Sequence, residues 1–138
     1  MPNSGHRAVP HPADVTIEAW GPTCEACLGE AISALVDSFA DLSRAQPVDT
    51  VVVDLPAGDA ADRLVTALDH VIYLLDTQGL IPLATSVDIG PATLRLTMSV
   101  ARIDSVELIG AAPKAVSLSG LECTQLGGQW RCRVTIDV

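Results

Sequence analysis

Lysine is nearly missing from this chain. Lys114 stands alone beside seven arginines and against seventeen acids, for a formal net charge of −9. Such a balance argues against a protein that binds nucleic acid unaided, because that task needs basic surface to neutralise phosphates. It fits cation binding, or docking to a basic partner. Long apolar runs are missing as well, so no segment reads as a membrane span. The opening MPNSGHRAVPHPAD lacks the apolar stretch of a secretory signal, and a cytoplasmic location is expected. Repeats, low-complexity tracts and linkers are also wanting. LIGAAPKAVS sets Gly110 four residues before Lys114, but Pro113 and Ala115 occupy the places where a phosphate-binding loop needs Gly and Ser or Thr. The chain holds no GxSxG elbow, no HExxH helix and no DxDxDG calcium loop.

What is present patterns into one domain. A length of 138 residues allows one core of helices against a sheet and leaves little room for a second domain. Residues 1–12 read as a polar, proline-bearing leader and residues 13–138 as the domain itself. Val15, Ile17 and Ala19 alternate with Asp14, Thr16, Glu18 and Trp20, the period of a half-buried strand. Gly21 and Pro22 end it, and Thr23 is placed to cap a helix running to about Ala40. TVVVDLP is a second strand. Asp59 caps a second helix with Asp62 placed for a capping-box-like contact. Its apolar stripe is Leu64, Leu68, Val71, Ile72 and Leu75, and Gly79 stops it. Strand-like runs at 84–89 and 92–101, a turn or short helix at 104–108, and a hairpin of 114–125 with 129–137 complete the chain. The expected fold class is α+β, two helices packed on a largely antiparallel sheet.

The four cysteines fall in two pairs. CEAC at 24–27 has the spacing of a redox pair or half a zinc site. It also opens the first helix, where Cys24, Leu28, Ala31, Leu35 and Phe39 recur at core spacing, and burial is the plainer reading. A two-residue turn at Gly127 and Gly128 sets Cys123 opposite Cys132 across the final hairpin. In a reducing compartment such facing cysteines are expected as buried thiols rather than as a disulfide.

Acids at two strand ends raise a sharper question. On the last strand Trp130, Cys132, Val134 and Ile136 share one face, and Arg131, Arg133, Thr135 and Asp137 the other. Asp137 therefore sits on the polar face at the sheet rim, beside Val138. Asp14 opens its own strand in the same way. If the two ends meet, two carboxylates and a terminal carboxylate or carbonyl of Val138 converge, and a hard divalent cation would relieve the repulsion. If they do not, the same aspartates simply face water. His11, three residues before Asp14, is a second candidate ligand on weak pattern evidence. In the second helix Arg63, Thr66, His70 and Leu74 form one row, and Asp62, Thr66, Asp69 and Tyr73 another. His70, with Asp69 beside it, is either a base or ligand, or a surface histidine on the exposed flank. Lys114 with Arg131 and Arg133 offers a small basic spot for a phosphate or an acidic patch.

The same segments carry a family likeness. GHRAVPHPADVTIEAWGPT, LVTALDHVIYLLDTQGLIP and IGAAPKAVSLSG…GGQWRCRVTIDV, taken in order from about Gly5 to Val138, resemble the archease family of small acidic proteins. The resemblance implies an archease-like fold and a protein cofactor rather than an enzyme. Archeases assist RtcB-type RNA ligases in tRNA splicing or RNA repair, promoting guanylylation of the ligase and multiple turnover. The likeness also implies a divalent cation, calcium with magnesium as the alternative, held at Asp14, Asp137 and Val138. Two positions depart from the family pattern. His70 stands where the tyrosine-bearing helix usually has an acid, and Ser119 where the lysine-led strand often has a histidine. Both departures point toward a weaker activity or a different partner.

Two rivals stand beside this reading. A small metal-dependent hydrolase needs a nucleophile or a metal–water cluster in a cleft, for which two aspartates and one histidine are thin support. A cysteine-based redox or chaperone protein needs Cys24 and Cys27 exposed or bound to zinc.

Overall fold

A computed structural model describes residues 3–10 and 14–138. Its elements run β1 (Gly5–Pro10), β2 (Asp14–Gly21), α1 (Cys24–Asp37), β3 (Ala40–Asp41), β4 (Asp49–Pro56), α2 (Ala60–Gln78), β5 (Leu80–Ile89) and β6 (Thr93–Arg102). A 3-10 turn at Ile103–Ser105 then leads to β7 (Glu107–Leu108), β8 (Ala115–Leu126) and β9 (Gln129–Asp137).

Both helices start where short-range chemistry puts them. The Thr23 hydroxyl accepts the Ala26 N–H at 3.0 Å, and the Asp59 carboxylate accepts the Asp62 N–H at 2.9 Å. Helix α2 ends at Gly79, whose φ of 63° is the left-handed conformation glycine adopts without penalty. Helix α1 stops at Asp37, short of the expected Ala40. There the Ser38 hydroxyl donates to the Leu35 carbonyl at 2.6 Å, and Ala40 passes into β3.

The strands form three sheets rather than the single one expected: β1-β2-β9-β8, β4-β6-β5 and the short pair β3-β7. Every pairing is antiparallel. Helix α1 packs on β2 and β5, and α2 packs chiefly on β8. Leu28, Ile32 and Leu35 of α1, Leu64 and Leu68 of α2, Leu94, Leu96 and Met98 of β6, and Val134 and Ile136 of β9 lie in one buried cluster. The fold is therefore α+β, two helices packed on antiparallel sheets.

Two strands depart from expectation. Part of the presumed leader belongs to the domain, because β1 pairs with β2 from Gly5 opposite Trp20 to Pro10 opposite Val15. The final hairpin begins in the expected register, with Cys123 opposite Cys132. Between Glu122 and Ser117, however, β8 takes up three more residues than β9, so Ala115 and not Leu118 comes to face Asp137. Gly120, at φ 72°, sits inside that irregular stretch.

A candidate acidic site at the strand ends

The β2–β9 pairing sets Asp14 directly opposite Asp137. Their strand neighbours Thr16 and Thr135 lie on the same outer face, with hydroxyl oxygens 3.3 Å apart. Thr16 is buried, Asp14 is half-buried and Asp137 is exposed. On the other side of Asp137 the register slip in β8 brings in Ala115, and the Lys114 N–H donates to the Asp137 carbonyl at 2.8 Å. One sheet end thus gathers Asp14, Asp137, the main chain of Lys114 and the following residue, Val138.

Ionised carboxylates are acceptors only, so two of them face to face repel unless a proton, a cationic group or a metal lies between. The donor set is carboxylate and main-chain oxygen, which suits a hard divalent cation. Among the described residues no group of three or more His, Cys, Asp or Glu side chains converges as a ready metal cage. His11 lies outside the described residues.

Residues 6–138 match the model of the Archease protein family (MTH1598/TM1083). The chain belongs to the archease family. "Probable protein archease" of Mycobacterium tuberculosis, in strains CDC 1551 and H37Rv, is 43% identical over 136 residues, covering 99% of this chain and 76% of the relative. Archease of Pyrobaculum neutrophilum is 23% identical over 135 residues, covering 93% of this chain and 91% of its own. Among solved structures, protein 1598 of Methanobacterium thermoautotrophicum aligns with a TM-score of 0.77 at 23% identity, over 97% of this chain and 99% of that one. The Thermotoga maritima protein TM1083, described as an "archease, possible chaperone", aligns at 0.69 and 18% identity over 94% of each chain. At those identities the two structures establish the archease fold alone.

The other candidate positions of this archease scatter. Lys114 does not join Arg131 and Arg133 in a basic spot, contrary to expectation. Arg131 faces Trp20 and Thr124, six residues along β9 from Asp137, or roughly 20 Å at strand rise. Arg133 is spent on Glu18, donating to its carboxylate at 3.0 Å, and Glu18 also accepts from Arg7 at 3.2 Å. His70 is half-buried rather than on an exposed flank. Its ring stacks on Tyr73 with centroids 5.8 Å apart, and its Nε2 is shielded with no partner among the described residues. Burial lowers the His70 pKa and raises that of its neighbour Asp69. Ser119 is exposed in the irregular part of β8, where its N–H donates to the Ser117 hydroxyl at 3.3 Å. Cys24, Cys27, Cys123 and Cys132 are all free and buried, as the core reading expects. Cys24 and Cys27 are thus without the exposure expected of a cysteine-based redox pair.

One polar constellation has no counterpart in the sequence pattern. His6 on β1 meets the Glu30 carboxylate through Nδ1 at 3.0 Å and the Asp37 carboxylate through Nε2 at 3.1 Å. Burial is the largest single influence and would lower the His6 pKa, but the two carboxylates together outweigh it and the net shift is upward. The contact ties the edge strand to α1. Partners 24 and 31 residues away leave no local signal in the sequence.

Proposed function

We propose that this chain is an auxiliary protein of an RtcB-type RNA ligase. It promotes guanylylation of the ligase and so its multiple turnover, in cytoplasmic tRNA splicing or RNA repair, without catalysing ligation itself. Membership of the archease family supports the auxiliary role. The observation that carries the reading is the pairing of Asp14 with Asp137 at a sheet end whose main chain Lys114 ties down. Asp14, Asp137 and a main-chain oxygen of Val138 would hold a divalent cation, calcium with magnesium as the alternative. Such a cation supplies charge neutralisation and a Lewis-acidic contact for an incoming oxygen.

The chain's own residues do the rest by placement. A net charge of −9 steers the protein toward a basic nucleotide-binding cleft and away from RNA phosphates. Because β2, β9 and β8 are hydrogen-bonded side by side at this end, the acidic edge is presented with little freedom to lose on docking. Orienting the ligase's reacting groups in that way is help by positioning.

The test is ligation by an RtcB-type ligase of the same cell at limiting enzyme, with GTP and a divalent metal, with and without this protein. The native protein is expected to turn a stalled single round into many rounds, and Asp14→Ala to abolish the gain. If the native protein adds nothing while the same ligase responds to another archease, the reading is wrong, and His70 and Ser119 are the positions to revert first.

A further inference from the structure

The basic spot expected around Lys114 forms instead around Arg7, on the same sheet face as the acidic site but at its other end. Side chains on the outer face of β1-β2-β9-β8 alternate with the buried Ile17, Ala19, Cys132 and Val134. One register row sets Gly5, Trp20, Arg131 and Thr124 side by side, and the next sets Arg7, Glu18, Arg133 and Glu122. Three of the seven arginines thus share a patch with two glutamates, on a chain whose net charge is −9.

The two acids are not shared evenly. Glu18 accepts from both Arg7 and Arg133, at 3.2 and 3.0 Å, and Glu122 stands opposite Arg133. Arg131 lies between Trp20 and Thr124, neither of them acidic, and forms no ion pair among the described residues. The Trp20 ring lies over Gly5, where it leaves no room for a Cβ, and the Arg7 guanidinium sits 5.4 Å from its centroid. The indole therefore leans toward β1 and away from β9. On its β9 side a hollow of about 310 Å³ opens, lined by Trp20, Arg131 and Arg133 and, from β8, by Thr124 and Leu126. Leu126 is 72% exposed and gives that hollow an apolar lip.

A guanidinium with no acid of its own matches a carboxylate two bonds at a time. We propose that this patch is a second docking point, at which Arg131 takes a carboxylate of an acidic peptide segment on the ligase. The proposal rests on the ligase-auxiliary reading and sets the pose of the acidic site. Arg131 lies six residues along β9 from Asp137, or roughly 20 Å at strand rise. Contact at both ends fixes the direction of the sheet against its partner, which the acidic end alone leaves free. A single-stranded RNA fits this face less well. Its phosphates would run on toward Asp14 and Asp137 and against the charge of the whole chain, whereas a peptide confines its acid to one point.

The experiment measures, by fluorescence anisotropy, binding of the full chain to an RtcB-type ligase of the same cell, with calcium, at low and at high salt. Arg131→Glu is expected to weaken binding about tenfold at low salt, and the difference to narrow at high salt. Arg102→Glu makes the same change in net charge at an exposed arginine paired with Asp104, and should leave binding within about twofold. At saturating concentration Arg131→Glu should still bring ligation to the native number of rounds, because the acidic site is untouched. Native affinity in Arg131→Glu would overturn the proposal. Equal weakening by Arg102→Glu would do so too, since net charge and not the patch would then be at work. So would a labelled single-stranded RNA that binds the native chain and not Arg131→Glu. A native chain that fails to bind the ligase fells the auxiliary reading and this proposal together, whereas native binding that ignores Arg131 fells this proposal alone.

Discussion

Replacing Asp14 with Asn removes one of two negative charges that the β2–β9 register sets face to face, and leaves the size of the side chain unchanged. Directly opposed side chains on antiparallel strands have Cβ atoms about 5 Å apart. Two unit charges at that separation repel by about 1 kcal/mol in a nearly aqueous medium. Asp137 is exposed, so solvent keeps the repulsion at or somewhat below that figure. Without divalent cation, Asp14→Asn should therefore be more stable than the native protein by about 0.5–1 kcal/mol, or roughly 2–4 °C in Tm for a domain of this size. Calcium should reverse the order. A ligand that binds only the folded state adds about 2.7 kcal/mol at a hundredfold excess over its Kd, and the variant forgoes most of that gain. Thermal unfolding followed by circular dichroism at low salt, in EDTA and then in calcium, reads both effects. Salt should shrink the EDTA difference by screening the pair. A variant less stable than the native protein in EDTA would refute the repulsion argument. An equal gain from calcium in both proteins would place the cation elsewhere.

Four further substitutions have expected outcomes of their own. The His6 pKa is raised above its ordinary 6.5, so the stability it contributes is fully present below that pH and is lost as pH rises through the raised value. His6→Gln should thus cost about 1 kcal/mol at pH 5.5, discounted for partial exposure, and close to nothing at pH 9, as urea unfolding at the two pH values would read. Leu68→Ala, at a fully buried α2 position, should cost about 3–5 kcal/mol in the same assay. A Cβ at Gly21 would lie 2.9 Å from both the Ala26 Cβ and the Cys27 main-chain nitrogen, so Gly21→Ala should lower stability by about 1–3 kcal/mol unless the start of α1 shifts. Thr23→Ala removes the α1 cap and should cost about 1 kcal/mol, again by urea unfolding.

Features set by short-range physics are legible in the sequence alone. The caps at Thr23 and Asp59 and the stop at Gly79 are local hydrogen-bonding and dihedral preferences, and each stands where the sequence places it. The buried stripe of α2 follows from a helical period, and the two faces of β9 follow from a period of two. The pairing of Cys123 with Cys132 follows from the Gly127–Gly128 turn, since a tight turn dictates register over the few residues beside it. Strand β1 is illegible because a short edge strand bearing Pro10 gives almost no periodic signal, and its one partner, β2, completes it.

The acidic site belongs to the other kind of information. By its own turn the last hairpin would bring Leu118 to Asp137. The irregular stretch between Glu122 and Ser117 instead delivers Ala115, with Lys114 behind it. Asp14 meets Asp137 across more than a hundred intervening residues, a closure that no local preference encodes. The sequence by itself determined the buried stripe of α2, the two faces of β9, where both helices begin and where α2 ends. The tertiary structure alone decided which strand ends meet, because long-range register depends on burying the shared core and on how much chain an interrupted strand takes up before its pairing resumes.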